Sequence, residues 1–321
     1  MVSDEARTAN REYVEEMCKQ CNRWGRWGFD DELGALNFID GQAIMGALQS
    51  VKTGEVVSCA LPYGTDGPQN GSFGRANPIH TMLQDGGDIA LGAQDNLNVL
   101  RYTDDALWMP LQAGTQWDAL SHIFHNGKMW NGHGLEYVTS RGATKNSIEA
   151  CRNQVVGRGI LLDIPRFRGV PWLEPGMAID GNELAACTDS VGLEPRRGDI
   201  VLVRTGQMRQ VRSNRTWGDY AGGPAPGLGI AAASWVCDNE IAAIATDTWG
   251  MEVLPNETPD VFQPVHLILL VNAGLMVGEI YDLEALAEAC ATDGRYDFLF
   301  VGAPLPIVGA VGSPLNPLAI R

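Results

Sequence analysis

The sequence predicts an α/β fold in one domain. Three observations point there. Apolar runs of strand length recur through the second half, helix-patterned segments stand between them, and no linker or charge block divides the 321 residues. With 45% hydrophobic and 19% charged residues, the chain has enough apolar material for a large core.

Taken in order, Ser3–Cys21 is polar with helical periodicity, and residues 1–50 read as a helical entry segment packed on a single domain spanning 1–321. Asn22–Asn37 is a loop rich in Gly and Trp, Gly41–Ser50 a short helix, and Glu55–Leu61 alternates like a strand. Residues 62–96 hold many Gly, Asn, Asp and Pro and few periodic apolar positions, so they read as a long excursion, of a length usually functional or disordered. Gly157–Ile164 has the length and apolarity of a buried strand. Asp180–Ser190 opens on a capping Asp and reads as a helix. Asp199–Thr205 and Ile241–Thr246 are strands, with a helix at Gly229–Asn239 between them. His266–Ala273 and Asp282–Cys290 read as helices, and Phe298–Val301 and Leu305–Val308 as closing strands. There is no internal repeat.

Charge and composition remove whole classes of function. A net charge of −16 argues against nucleic acid, which needs clustered Lys and Arg, and fits a soluble surface. The longest apolar run, Val265–Val271, contains His266 and falls far short of the ~20 residues that span a bilayer. The charged N-terminus lacks an apolar h-region, which predicts a cytoplasmic protein without a signal peptide. Seven scattered cysteines then read as reduced thiols, and the Cys18/Cys21 pair, with no second ligand pair, as structural.

Two motifs are decoys. Gly227–Ala232 fits a GxGxxA dinucleotide fingerprint, but Gly222–Pro226 cannot be the central strand that must enter it. Ser121 beside His122, with Asp118 near, suggests a serine triad, yet neighbours on a strand point to opposite faces. The informative stretch is Leu111–Gly132, which packs Asp118, His122 and His125 into eight residues of a chain with only five histidines. By themselves these residues fit an active site and a satisfied polar loop about equally well.

The same stretch, Gln112-Ala-Gly-Thr-Gln116-Trp-Asp118-Ala-Leu-Ser-His122, resembles the His-x-Gly-Thr-His-x-Asp-x-x-x-His motif of the cyclase family, with both leading histidines replaced by Gln. That family includes bacterial kynurenine formamidases and isatin hydrolases. Further likenesses follow in order: Gly157–Asp163, Gly198–Gly206, Pro226-Gly-Leu228, Ile244–Thr248, His266 to Glu279, and Ala303–Ile320. The entry loop NRWGRWGFDDELGALN is similar too, so the resemblance covers residues 22–320.

The resemblance implies a swivelling β/β/α domain, with a central barrel-like mixed sheet flanked by helices and usually dimeric or tetrameric. It implies one divalent metal, Zn or Mn, on Asp118, His266 and Glu279 with help from Gln116, and His122 with Asp118 as the catalytic pair. Gln112, His125, Trp27, Phe29 and His80 are the expected substrate contacts, the aromatic ones forming walls for a ring together with Trp24. The implied activity is hydrolysis of a small, ring-bearing amide, formamide, lactone or cyclic imide, with no membrane or nucleic-acid partner. A metal-assisted lyase or dehydratase, and a binding protein of the same fold, are the alternatives.

Overall fold

The computed structural model describes residues 10–321. Its frame is a nine-stranded mixed sheet, curled into a half-barrel and flanked by helices. Across the sheet the strands run Val56–Ser58, Leu318–Ile320, Asp297–Val301, Val156–Asp163, Ile200–Arg204, Ala243–Thr246, Met276–Glu279, Gln116–Asp118 and Gly312–Pro314. From Val156–Asp163 to Met276–Glu279 the four central strands are parallel, and antiparallel pairings add the rest on either side.

The central strands are apolar almost without interruption because both faces are covered. Ile160, Leu162, Val201, Val203, Ile244 and Val277 face one core, shared with Val14, Met17, Leu184 and Val236 of three helices. Those helices are Arg11–Gln20, Gly181–Ser190 and Ala232–Asp238. Leu161, Ile200, Leu202, Ala245 and Met276 face a second core, with Leu286 and Cys290 of the Glu284–Asp293 helix. Two helices start where a capping side chain dictates. Asn10 accepts from the Tyr13 N–H at 3.0 Å and Asp180 from the Glu183 N–H at 2.8 Å.

Several elements depart from the sequence reading. The first helix is described from Arg11, so residues 3–9 of its predicted span lie outside the described residues. The excursion at 62–96 is not all loop: Ile79–Gln84 pairs antiparallel with Asp104–Trp108, and a short helix, Gly86–Ala90, lies between them. Leu305–Val308 forms no strand, since Pro304 and Pro306 remove ladder donors there; Gly312–Pro314 and Leu318–Ile320 close the sheet instead. The segment predicted as one helix from His266 is a single α-turn, Pro264–His266, running into a π-helix, Leu267–Asn272. There the Ala273 N–H reaches back to the Ile268 carbonyl at 2.9 Å. Among the described residues, no helix is long and apolar enough to cross a membrane.

Candidate metal centre and active site

The site begins with strand register. Glu279 pairs with Gln116 and Val277 with Asp118, so alternation sends Gln116, Asp118 and Glu279 to one face. Trp117 points to the other face, where it packs on Tyr281 and Phe300 and donates to the Gly302 carbonyl at 2.8 Å. Gly278 makes room for it. A Cβ there would come within 2.6 Å of the Ala245 Cβ and 2.7 Å of the Trp117 ring.

His266 arrives from the turn that Pro264 starts, and Glu252 secures it. Glu252 accepts from the Val265 and His266 N–H groups at 3.0 and 3.1 Å, and its Oε1 lies 2.6 Å from His266 Nδ1. With the proton on Nδ1 shared with Glu252, the other nitrogen faces the carboxylates, Nε2 lying 3.2 Å from Glu279 Oε1. Gln116 donates to Glu279 Oε2 at 2.7 Å and, more weakly, to Asp118 Oδ1 at 3.4 Å.

Asp118, His266 and Glu279 each offer a ligand atom, all within 4.8 Å of one another and all buried. The donor set suits a divalent cation: two carboxylates, one imidazole held by a carboxylate behind it, and a neutral amide alongside. Gln116 Oε1 is buried without a hydrogen-bond partner, an orphan that a cation or its water would satisfy. Burial pushes the Asp118 carboxyl up to about 6; His122 opposes that rise and Glu279 adds to it. Burial alone would lower the His266 pKa, yet the carboxylates of Glu252 and Glu279 outweigh it and push it up to about 10. Buried carboxylates must be paired or bind a cation, and this cluster could do either.

His122 stands at the edge. Its Nε2 is 3.8 Å from Asp118 Oδ1, and its side chain is 20% exposed. It lines a cleft together with Asp118, Glu279, His266, Phe73, Arg75, Ile123, Trp249 and Gln263. Phe73, Met251, Gln263 and Ile280 all have positive φ, from 50° to 59°. For non-glycine residues this is strained backbone, and here it surrounds a candidate site.

The remaining expected contacts lie elsewhere. His80 is on the exposed ribbon, 2.7 Å from Asp105, and lines no part of this cleft. His125 sits against Glu15 at 3.2 Å. Trp27 packs edge-on against Phe38 in the entry loop, and Phe29 is 78% exposed. Trp24 donates to the Val271 carbonyl at 2.8 Å, bracing the π-helix. Gln112 lies against Gly312 with its buried Nε2 unpartnered. Ser121 is buried, its Oγ without a partner, so no serine–histidine bond forms. Sequence reasoning missed Glu252, Phe73, Arg75, Trp249 and Gln263. The one available signal was the glycine-rich run Asn70–Gly74, whose turns bring Phe73 and Arg75 to the rim.

Comparison with known proteins bears on the family and the fold. Residues 56–253, more than half of the chain, match the sequence model of a family described as "Putative cyclase". No curated protein sequence matches the chain. A crystal structure described as a novel cyclase is 36% identical, with a TM-score of 0.85, covering 95% of this chain and 99% of that one. Isatin hydrolase A from Labrenzia aggregata, bound to benzyl benzoate, shares 20% identity at a TM-score of 0.57, over 87% of this chain and 97% of that one. Isatin hydrolase A from Ralstonia solanacearum shares 18% at 0.61, over 83% and 91%. At such identities these two speak for the fold alone. The match at 36% identity runs nearly end to end, and the family match spans the whole Gln112–His122 motif, so the chain belongs to the cyclase family.

Proposed function

We propose that this protein is a metal-dependent hydrolase of a small, ring-bearing amide, formamide, lactone or cyclic imide. The observation that carries the reading is the buried Asp118–His266–Glu279 cluster opening onto a cleft beside His122. Asp118, His266 and Glu279 would hold one divalent ion, zinc or manganese, with Gln116 Oε1 beside it. Such an ion supplies Lewis-acid polarisation of a carbonyl and acidifies water toward neutrality.

The protein's own groups do the rest. Glu252 keeps the His266 proton on Nδ1, leaving Nε2 to face the cluster. Gln116 holds Glu279 in place through its amide N–H. His122, the member of this group nearest solvent, takes the proton of the attacking water on its ring and returns it to the leaving nitrogen or oxygen. Asp118 Oδ1, 3.8 Å from Nε2, faces that ring.

The test is elemental analysis of wild type against His266→Ala, followed by a screen of amides, lactones and cyclic imides. About one zinc or manganese per chain, absent from the variant, supports the reading. Hydrolysis of a lactone, cyclic imide or aryl formamide consumes water and releases one proton with the new carboxylate, so a pH-stat trace of acid release on those substrates separates it from lyase chemistry. No ion in either protein after reconstitution would sink it.

A further inference from the structure

Among the described residues, Arg75 is the one Arg or Lys in the lining of the cleft. It is half-buried on the cleft wall, and among the described residues no carboxylate lies within salt-bridge reach of its guanidinium and it makes no side-chain hydrogen bond, though its charge reaches Asp118. It is held instead by an aromatic face, its guanidinium 4.9 Å from the centre of the Trp249 ring. The contrast with Arg158, Arg204 and Arg212 is plain, since each of those is matched to an acidic partner. An arginine stacked this way keeps its planar fork of donors free for a carboxylate-shaped acceptor.

The surroundings are built to hold it there. Trp249 is nearly buried, and its indole N–H donates to Gln69 Oε1 at 3.1 Å. Phe73 lies 5.7 Å from Trp249 and stacks on Phe262 at 6.1 Å, with an angle of 17° between the two rings. The loop that carries Phe73 and Arg75 is tied down, as Asn70 Nδ2 donates to the Ala221 carbonyl at 3.0 Å. Phe73 takes up φ of +54° to reach its place over Trp249. The cleft thus offers two aromatic rings at its mouth, Phe73 and Trp249 set at 36° to each other, with Arg75 beside them and the carboxylates and His122 also in its lining.

We propose that Arg75 is a specificity residue that binds the anionic group of a planar ring ligand lying against Phe73 and Trp249. The substrate class is therefore an aromatic or heteroaromatic acid carrying the scissile group, rather than a neutral ring. This inference rests on the hydrolase reading for the word substrate; the ligand chemistry stands independently of it.

The test is calorimetric titration of the metal-loaded full chain with benzoate and its neutral isostere benzamide, in wild type, Arg75→Gln and Arg75→Lys. A charge-assisted pair predicts that wild type binds benzoate about tenfold or more tighter. Arg75→Gln should erase that gap, while Arg75→Lys retains part of it. No preference in wild type overturns the proposal. So does a preference undiminished in Arg75→Gln, because the carboxylate then sits on the metal. Thermal melts of each variant show whether it is folded. The two readings separate cleanly: an Arg75-dependent gap without turnover in any screen fails the hydrolase and keeps the anion site. Turnover that favours neutral substrates and is indifferent to Arg75→Gln does the reverse.

Discussion

At the scale of single residues, the cluster's chemistry is a competition between a cation and a proton. Without a metal, His266 sits between Glu252 and Glu279, its pKa pushed up to about 10. An entering ion must therefore displace a proton from His266 throughout the neutral range, and metal binding must release one. The sign follows: affinity weakens as pH falls, by about tenfold per pH unit. Asp118, pushed up to about 6, takes a second proton lower down, so the slope steepens there toward two. Competition against a metallochromic chelator from about pH 9 to about pH 5.5 reads the slope directly. A flat profile would mean that His266 is not a ligand. His122 makes a separable prediction. His122→Ala should keep its metal and lose about 10²- to 10⁴-fold in turnover, the range for a lost acid–base group. Turnover near the wild-type rate would remove His122 from the mechanism.

At the scale of elements, the site depends on how closely two strands approach. Gly278 lies between Val277 and Glu279, with the Trp117 ring where a side chain would go. Gly278→Ala should cost about 1–3 kcal/mol, read as a lowered denaturation midpoint, because the methyl meets Ala245 and Trp117 in a packed core. It should also shift Glu279 and weaken metal binding; an unchanged midpoint would mean the strands have slack. This dependence on packing also marks what the chain discloses in advance. Parallel strands such as Ile200–Arg204 are legible because burial on both faces makes them continuously apolar. Asp118, His122, His266 and Glu279 are legible through motif spacing. Glu252 is not, because its role is to cap a turn that starts twelve residues later at Pro264, and no local pattern announces that. Phe73 and Arg75 are hidden for another reason: a left-handed residue between glycines leaves no periodicity to read.

At the scale of the whole molecule, the ribbon formed by Ile79–Gln84 and Asp104–Trp108 is unfinished. A two-stranded sheet is marginal in water unless a face is covered. Register sets Ile79 opposite Trp108 and Thr81 opposite Ala106 on one face, the one carrying Trp108, and His80 opposite Leu107 and Met82 opposite Asp105 on the other. Within this chain the Trp108 face is open, with Trp108 62% and Ile79 49% exposed. Such a patch on a chain with −16 net charge is unexpected for a monomer, since repulsion and apolar exposure oppose each other. We propose that a second copy covers it in a homo-oligomer. Sedimentation at micromolar concentration should then give at least twice the 34.7 kDa chain mass. Trp108→Ser should weaken association by about 2 kcal/mol, near thirtyfold in dissociation constant, as for a central aromatic anchor. His80→Ala, on the opposite face, serves as the control and should leave association unchanged. A wild type that sediments as a monomer, or a Trp108→Ser that associates as tightly as His80→Ala, would show that the ribbon does not join copies of this chain.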